Sequence, residues 1–415
     1  MEPFIIYVWI ICFWGLYLAL FWINLSKIPE KPIITEGITL PHVTLVIPAY
    51  NEEDVIVKTI SSVLKLDYPK NKLKLVVVND GSKDRTQEIV EKVFEIYKRR
   101  GGGFKTLLIN KTNAGKAAAL NYVLKDIDTE LFGVVDSDSL LEKNSLKEMI
   151  CYFSDKEVGA VIHPIYVAQS RNFWERLQRL EYILTGFVRS LMAKISTVYV
   201  TPGVLSVYKT NVVKKIGGFD EHTITEDLEM ALKLQYNKYK IVLEPNTKVY
   251  TYVPTNFKDF WRQRIRWYRG FIQNAIKYKK MFLNKRYGLM GIFQTPVNVI
   301  GMFIAWASVI LFSYNIINLL YKKIVKLITL RGDIFYLNIP SVKELILKID
   351  MRIAFPLVIG IFFMLYLFHK AHIFGKEKWK FHFITLIYMF IYPLFVGLQY
   401  LWSLILELIG VKRKW

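Results

Sequence analysis

The sequence predicts an α/β domain with a mainly parallel sheet, joined to a transmembrane helical region. First, short β-rich runs alternate with runs of helical periodicity between residues 43 and 138. Second, long apolar stretches without formal charge lie near both ends of the chain. Third, the 415 residues are 53% hydrophobic, with a mean hydropathy of +0.25. These values exceed those of a typical soluble protein and indicate a membrane protein with one folded domain between apolar ends.

The first element is the apolar run FIIYVWIICFWGLYLALFWINL at residues 4–25, which carries no formal charge. About 20 apolar residues, rising 1.5 Å each, are enough to cross a bilayer core of about 30 Å. A cleaved signal peptide is the alternative. However, Glu2 stands where a basic start is usual, the apolar core is too long, and no small-residue cleavage site follows. We therefore expect a retained membrane anchor.

Alternating strands and helices follow from residue 43. VTLVIP is apolar and ends at a proline, whereas apolar side chains recur at helical spacing in EEDVIVKTISSVLKL. Strands are expected at residues 43–48, 74–80, 105–110 and 131–138, and helices at 52–66, 82–100 and 116–127. Repeated strand–helix–strand units specify a mainly parallel sheet with right-handed crossovers and helices on both faces.

Polar residues cluster where these strands end. Ligands of open parallel sheets bind beyond the carboxyl ends of the strands, a rule that selects Tyr50–Glu53, Asn79–Ser82 and Asp136–Asp138. The Asp-x-Asp of the third group can direct its carboxylates to one Mg²⁺ or Mn²⁺ ion, which also takes phosphate oxygens. The Asp-Gly of the second group alone suggests an ordinary turn. Taken together, the three groups favour a nucleotide pocket.

The stretch TITEDLEMALKL begins a later helix. Thr225 precedes the acidic pair Glu226 and Asp227 and an apolar-periodic run. One interpretation is a plain capping arrangement at the helix start. The other is a pair of carboxylates at that start, of which Asp227 acts as a proton acceptor. The residues alone leave both interpretations open.

The stretch FKDFWRQRIRWYRG, residues 257–270, places arginines and tryptophans just before the chain becomes strongly apolar. An interfacial helix accounts for this composition, because Trp and Arg favour the boundary between headgroups and acyl chains. A tryptophan can also stack against a sugar ring while arginines on the same helix reach phosphate oxygens. Helical spacing puts Arg264, Trp267 and Tyr268 on one face and Arg266 elsewhere.

Three apolar segments follow, at about residues 289–320, 352–369 and 382–409. The first is longer than one bilayer crossing and contains Pro296 and Gly301, so we interpret it as an interfacial piece joined to a span. Residues 321–350 alternate lysines and leucines without a clean span. Together with the N-terminal anchor, these segments predict four crossings, give or take one.

The formal net charge of +21 fits basic loops that stay cytoplasmic and a surface that rests on anionic lipid. Nucleic acid binding is not supported, because the basic residues are scattered and no DNA or RNA module is recognisable. The two cysteines, Cys12 and Cys151, support neither a disulfide nor a cysteine-based metal site.

Six motifs, in chain order, resemble those of family 2 glycosyltransferases: VIPAYNEE, VVVNDGSKDRT, NAGKAAALN, DSD, TEDLEMALKL and QRIRW. The last two resemble the membrane-embedded processive synthases of cellulose, chitin, hyaluronan and poly-N-acetylglucosamine. The resemblance covers roughly residues 40 to 270 and implies a nucleotide-sugar-binding domain of the GT-A type. It implies an anchor at 1–28, a cytoplasmic GT-A domain at 29–254, an interfacial helix region at 255–287 and about three transmembrane helices in 288–415.

The resemblance also implies roles for individual residues. Nucleobase and ribose contacts are expected from Ala49, Tyr50, Glu52 and Asp80, and donor contacts from Lys116, Asp136, Arg264 and Arg266. Asp138 is expected on the metal, Asp227 as the catalytic base, and Glu226 and Trp267 at the acceptor.

The implied function is an inverting, metal-dependent polysaccharide synthase in the cell membrane, with UDP-GlcNAc or UDP-glucose as donor. Its coupling to export and its oligomeric state are left open. One alternative is a single-transfer enzyme of the same fold that acts on a polyprenyl phosphate or another lipid. A second is a transporter or channel whose domain only binds nucleotide, although the expected spans lack the buried charges typical of such proteins.

Overall fold

The computed structural model describes residues 2–28, 39–329, 350–379 and 382–411. The chain divides into two compact units, here called the α/β unit (Pro29–Val297 with Ser403–Trp415) and the helical unit (Met1–Ile28 with Asn298–Trp402). The strands are β1 Val43–Ala49, β2 Leu73–Asp80, β3 Lys105–Lys111, β4 Leu131–Val134, β5 Ser139–Leu141, β6 Val158–Ile162, β7 Ile165–Val167, β8 Ser206–Lys209, β9 Lys240–Leu243 and β10 Val249–Thr251.

The helices of the α/β unit lie between and after these strands. They are α2 Ile56–Leu64, α3 Thr86–Arg99, α4 Lys116–Asp126, α5 Ser145–Ile150, α6 Phe173–Lys194, α7 Thr210–Lys215, α8 Glu226–Tyr236 and α9 Phe257–Lys277. α1 Glu2–Ser26 precedes this unit. The remaining helices follow α9 in the chain: α10 Thr295–Thr329, α11 Met351–Phe374, α12 Phe383–Phe390 and α13 Tyr392–Leu408.

The main sheet has the strand order β3-β2-β1-β4-β8-β6-β9. Every neighbouring pair is parallel except the two that involve β8. The predicted mainly parallel α/β sheet is therefore confirmed. Every residue of β1 is buried, and Ile56, Ile60 and Val63 of α2 join the core cluster with Leu45 and Leu75. Burial of these apolar side chains stabilises the sheet–helix packing.

Some element boundaries differ from the predicted ones. The fourth strand was expected to reach residue 138, but β4 ends at Val134, where its pairing with β1 and β8 also ends. Beyond it the amide of Asp136 donates to the carbonyl of Gly203 at 2.7 Å. The DSD motif therefore lies in a turn. A second sheet, ordered β5-β10-β7, follows this turn.

The helical unit contains apolar helices whose side chains are largely exposed. By length and composition, four candidate spans occur among the described residues: Phe4–Ser26, Met290–Thr329, Met351–Phe374 and Phe383–Leu408. The hydroxyl of Tyr7 on α1 donates to the carbonyl of Ile304 on α10 at 2.7 Å. Polar contacts of this kind hold helices together in an apolar solvent.

Two segments near and in the helical unit differ from the boundaries that the sequence predicted. Helical structure after residue 289 continues past 320 to Thr329, while residues 330–349 of the lysine–leucine stretch lie outside the described residues. A π-helical turn at Met290–Gln294 precedes α10. The last segment is broken into α12 and α13 next to Pro393, because proline cannot donate a hydrogen bond to the preceding turn.

Candidate active site

Asp80 fixes the loop that leads to α4. It is the last residue of β2 and is buried. Its carboxylate accepts hydrogen bonds from the Lys111 ammonium and from the amides of Ala114 at 3.1 Å and Gly115 at 2.8 Å. Gly81 follows with φ of +73°, and a Cβ there would lie 2.7 Å from the amide nitrogen of Asn113. Glycine is therefore required for this close approach.

The end of β1 supplies the next group. Ala49 is buried as the last residue of β1, and Tyr50 exposes 44% of its surface. Burial raises the pKa of Glu52, and the nearby negative charge of Asp136 adds to this effect. A hydrogen bond from Ser137 acts in the opposite direction. Glu52 therefore faces the DSD turn, as the edge-of-sheet rule predicted.

Lys116 joins two acidic motifs that are far apart in the sequence. As the first residue of α4, it forms ion pairs with Asp136 at 2.5 Å and with Glu226 at 2.7 Å. Burial lowers the pKa of Lys116, but these carboxylates outweigh it and raise the pKa well above its usual value. Asp136 also lies so close to Gly203 that a Cβ there would be 2.3 Å from its Oδ1. Sequence reasoning missed Gly203, because nothing in the tripeptide Thr201-Pro202-Gly203 indicates a contact with Asp136.

Asp138 lies in a setting rich in negative charge. Burial raises its pKa to about 7, and the charges of Asp136 and Glu52 contribute in the same direction. Lys116 and a hydrogen bond from Thr251 act in the opposite direction. Among the described residues, no group of three or more His, Cys, Asp or Glu side chains has metal-binding geometry. An ion at Asp138 would therefore need further oxygen ligands from water or phosphate.

Asp227 is in the first turn of α8, and its Oδ1 accepts the amide of Leu228 at 2.8 Å. Burial raises the pKa of Asp227 to about 6, and the adjacent Glu226 carboxylate adds to the shift. The side chain of Thr225 makes no capping hydrogen bond. The capping interpretation of this threonine is therefore wrong. Asp136, Asp138, Glu226 and Asp227, together with Lys116, are called the acidic cluster below.

Arg264 is held in a second cluster. Its side chain has an exposed fraction of 0%, and its guanidinium pairs with Glu181 of α6. The guanidinium also lies over the ring of Trp267, 4.1 Å from the centroid, and over Phe260 at 4.9 Å. The predicted common face of Arg264 and Trp267 is confirmed. Arg264, Glu181, Phe260 and Trp267 are called the arginine–tryptophan cluster below.

Arg264 was expected to contact the donor, but the structure buries its side chain in the arginine–tryptophan cluster. A side chain without exposed surface cannot contact a phosphate unless its rotamer changes. Arg266 differs from Arg264 in this respect, because it is exposed and its charge lowers the pKa of Glu226. The structure thus brings Arg266 near the acidic cluster. Sequence reasoning missed the partner Glu181, since no pattern in α6 indicates it.

Buried polar contacts fasten α9 to the start of α8. Asn274 donates from Nδ2 to the hydroxyls of Thr223 at 3.1 Å and Thr225 at 3.2 Å. A Cβ at Gly270 would lie 2.2 Å from the Thr225 hydroxyl, so only glycine allows this approach. Further along, Glu229 of α8 is fully buried and pairs with Lys277 at 2.6 Å. These contacts fix the position of QRIRW relative to TED.

Comparison with known proteins identifies the fold and the family. Residues 41–270 match the family described as "Glycosyltransferase like family 2", over more than half of the chain. This chain belongs to glycosyltransferase family 2. The enzyme has the predicted GT-A-like fold with a mostly parallel sheet. Membership of the family supports a glycosyltransferase rather than a transporter or channel.

The family 2 enzyme has relatives that are named for different products. It is 28% identical over 330 residues to the "Poly-beta-1,6-N-acetyl-D-glucosamine synthase" of Staphylococcus epidermidis, covering 75% of this chain and 77% of the relative. It is 29% identical over 261 residues to the "Beta-monoglucosyldiacylglycerol synthase" of Synechocystis sp., covering 60% and 53%.

A solved structure covers almost the whole fold. It is a mannosyltransferase from Pyrobaculum calidifontis in complex with GDP-Man and Mn²⁺, with a TM-score of 0.64 and 21% identity over 97% of this chain and 99% of that chain.

Proposed function

We propose that this glycosyltransferase is a membrane-bound, inverting, metal-dependent synthase. It transfers sugar from UDP-GlcNAc or UDP-glucose to a growing polysaccharide on the cytoplasmic face. The observation that carries the proposal is the acidic cluster, in which Asp227 has a pKa of about 6 beside Glu226, while Lys116 holds Glu226 and Asp136. The staphylococcal relative, named as a poly-N-acetylglucosamine synthase, supports the polymer and the amino sugar.

The donor lies beyond the carboxyl ends of β1, β2 and β4. Tyr50 offers an exposed ring beside Ala49. The family resemblance places Glu52 and Asp80 at the nucleobase and ribose; Asp80 is buried, and its carboxylate holds the Lys111 ammonium and the amides of Ala114 and Gly115 at the rim of this pocket. Lys116, next to Asp136, contributes positive charge to the diphosphate. Arg266 is the exposed arginine of QRIRW and adds a second cation there. Arg264 supports this helix from within the arginine–tryptophan cluster.

The DSD turn fits a divalent cation such as Mg²⁺ or Mn²⁺. Asp138 offers an oxygen ligand and has a pKa raised to about 7 by burial and by the facing carboxylates, a destabilised charge that a cation would compensate. Asp136 and Glu52 lie near it, and water or diphosphate oxygens would complete the shell. When bound, such an ion neutralises negative charge on the leaving diphosphate.

Asp227 is the proton acceptor of the transfer. An acceptor hydroxyl attacks the anomeric carbon from the face opposite the diphosphate, so a new C–O bond forms as the bond to the diphosphate breaks. The hydroxyl proton passes to Asp227, whose pKa of about 6 leaves it mostly ionised at pH 7. Glu226 and Trp267 are proposed to contact the acceptor sugar.

A second candidate is a single transfer to a polyprenyl phosphate or another lipid. The cyanobacterial relative, named for a glucosylated diacylglycerol, favours it. The donor groups, the ion and Asp227 would serve both functions unchanged. The two candidates differ in the acceptor and therefore in the length of the product.

Product length tests the proposal. Detergent-purified enzyme is incubated with labelled UDP-GlcNAc, UDP-glucose or GDP-Man, with Mg²⁺ or Mn²⁺ and with or without polyprenyl phosphate. We expect a polymer from one UDP-sugar, and loss of turnover in EDTA. A single lipid-linked sugar with every donor would contradict the processive function and support the second candidate. Transfer that persists in EDTA would contradict the metal.

A further inference from the structure

A loop between α9 and α10, residues 278–292, is called the basic loop below. It contains two short 3-10 turns. The amide of Leu283 donates to the carbonyl of Gly291 at 3.0 Å, which closes the loop on itself. A Cβ at Gly291 would lie 2.2 Å from the carbonyl oxygen of Asn284, so only glycine allows this closure. The basic loop is therefore a folded element of the α/β unit.

One side of the basic loop is buried against the helix that carries the proposed base. Met281 and Met290 of the loop share a buried apolar cluster with Leu228 and Leu232 of α8. Leu228 directly follows Asp227, and its amide donates to Asp227 Oδ1 at 2.8 Å. Because buried side chains are close-packed, a shift of the loop is passed on to the start of α8.

The other side of the basic loop exposes large apolar side chains. Leu283 is 65% exposed, and Phe282, Leu289 and Ile292 are exposed as well. Single exposed apolar residues are common, but the closure of the loop brings Leu283 beside the stretch that carries the last two, and grouped apolar surface indicates a binding face. Leu283 also has a φ of +53°, a left-handed conformation that leucine rarely adopts. A strained and exposed leucine indicates a contact outside the chain.

Cations without acidic partners accompany these apolar side chains. Lys279, Lys280, Lys285 and Arg286 are exposed, and none of them forms an ion pair within the described part of the chain. The sequence contains no Asp or Glu from residue 260 to 332. A candidate membrane span, Met290–Thr329, begins inside the loop. Apolar side chains among Lys and Arg match an anionic bilayer surface in polarity and charge. Continuity with the span favours a bilayer over an acidic protein.

We propose that the basic loop docks on anionic phospholipid and that this contact positions α8. Leu283 and its apolar neighbours enter the interface, and the four cations bind lipid phosphates. Through Met281 and Met290 the docked loop holds the start of α8, which carries Asp227. The proposal rests on the membrane location of the proposed function and adds the class of lipid and its route to the base.

Fluorescence quenching by lipid tests the docking contact. In a background with Cys12→Ser and Cys151→Ser, Leu283→Cys carries an environment-sensitive fluorophore. Ile96→Cys on α3 is the matched control, because Ile96 is also an exposed apolar residue of the α/β unit. The full-length protein is placed in nanodiscs of phosphatidylcholine alone or mixed with phosphatidylglycerol, and brominated acyl chains serve as the quencher.

We expect the probe at position 283 to be quenched in nanodiscs that contain phosphatidylglycerol, with little quenching in phosphatidylcholine alone and none at position 96. Adding Lys285→Gln and Arg286→Gln should weaken this contact about fivefold for each cation removed. The matched pair Lys92→Gln and Lys98→Gln on α3 should leave it unchanged. High salt should weaken the contact in the parent protein.

Absence of quenching at position 283 in every nanodisc would overturn the docking surface while leaving the proposed function intact. Equal quenching in both lipids would overturn the recognition of anionic lipid. Protection of the probe by polyglutamate but not by phosphatidylglycerol would assign the loop to an acidic protein and overturn the proposal. Recovery of the folded protein in the soluble fraction would overturn the membrane-bound function, and the inference with it.

The coupling to α8 is tested by Leu283→Asn. Asparagine accepts a left-handed backbone, so this change removes the apolar side chain without lowering the melting temperature. Phosphatidylglycerol should raise kcat of the wild-type enzyme about fivefold or more relative to phosphatidylcholine, with an unchanged KM for the UDP-sugar. In Leu283→Asn this ratio should fall towards one, whereas Ile96→Asn should retain it.

A ratio of one in the wild-type enzyme, or the wild-type ratio in Leu283→Asn, would overturn the coupling. Failure of the wild-type enzyme to turn over any UDP-sugar would contradict the proposed donor, and the quenching experiment would then decide the docking surface by itself.

Discussion

The acidic cluster and the arginine–tryptophan cluster both contain family motifs, but they treat charge in opposite ways. In the acidic cluster four carboxylates face one ammonium, that of Lys116, and the pKa values of Asp138 and Asp227 rise to about 7 and about 6. In the other cluster the buried Arg264 is matched by Glu181 and covered by Trp267. Unbalanced charge indicates where a cation or proton is taken up, whereas balanced charge indicates where a helix is held in place.

The largest expected effect is at the proton acceptor. Asp227→Asn should lower kcat by about 10²- to 10⁴-fold, because the acceptor hydroxyl loses its base. Binding of the UDP-sugar, measured by calorimetry, should persist. Asp128→Asn changes an exposed acid and should leave both quantities unchanged. Loss of folding and donor binding together would show that Asp227 is structural.

Arg264→Met tests whether the second cluster is structural. Removing the guanidinium leaves Glu181 without its buried partner and should cost about 3–5 kcal/mol of stability, measured by unfolding in detergent. Arg262→Met breaks an exposed ion pair with Asp259 and should cost less than about 1 kcal/mol.

The double variant Arg264→Met with Glu181→Leu should recover most of the loss of Arg264→Met, because no buried charge is left unpaired. Unchanged stability with lost affinity for the UDP-sugar would instead place Arg264 at the diphosphate, as the family resemblance implies.

Asp138→Asn addresses the uptake of a cation in the acidic cluster. Loss of a ligand charge should weaken binding of the metal ion and lower activity at limiting Mn²⁺ by at least the roughly 10- to 100-fold that loss of an outer-shell partner of a metal ligand costs. Titration of activity with Mn²⁺ should show a higher half-saturating concentration. An unchanged titration curve would contradict the assignment of Asp138 as a metal ligand.

The pH dependence of kcat/KM tests whether Asp227, in the acidic cluster, acts as the base. A base must be ionised, so kcat/KM should fall about tenfold per unit of pH below the pKa of Asp227, which is about 6. Because this folded-state pKa lies above the ordinary 3.8, Asp227 stabilises the fold at low pH and loses that contribution as pH rises through about 6. A rate profile without an acid limb near pH 6 would contradict its role as base.

Trp267→Ala should have the smallest effect on single turnovers. Loss of ring stacking is worth about 0.5–1.5 kcal/mol, so elongation should slow by about two- to tenfold and the products should shorten. Hydrolysis of the UDP-sugar to UDP should persist, because the donor pocket does not contain the ring. If this variant made polymer of the same length as the wild-type enzyme, the role of Trp267 would be only to pack against Arg264.

Much of the site could be predicted because it depends on local order along the chain. Strand ends in a parallel sheet meet at one edge, and that rule selected Asp80, Asp136 and Asp138 before any contact was known. The rule could not select Glu181 or Gly203. Their importance comes from the side chains that face them, and neither has a motif of its own.

The sequence by itself determined the alternation of strands and helices, the apolar segments at both ends, and the common face of Arg264 and Trp267. Each of these depends on residue spacing within one element. Only the tertiary structure decided that Lys116 joins Asp136 to Glu226, that Glu181 neutralises Arg264, and that Glu407 reaches Arg269. Such pairs join residues far apart in the chain, and their free energy depends on distance and burial in the folded protein rather than on any period in the sequence.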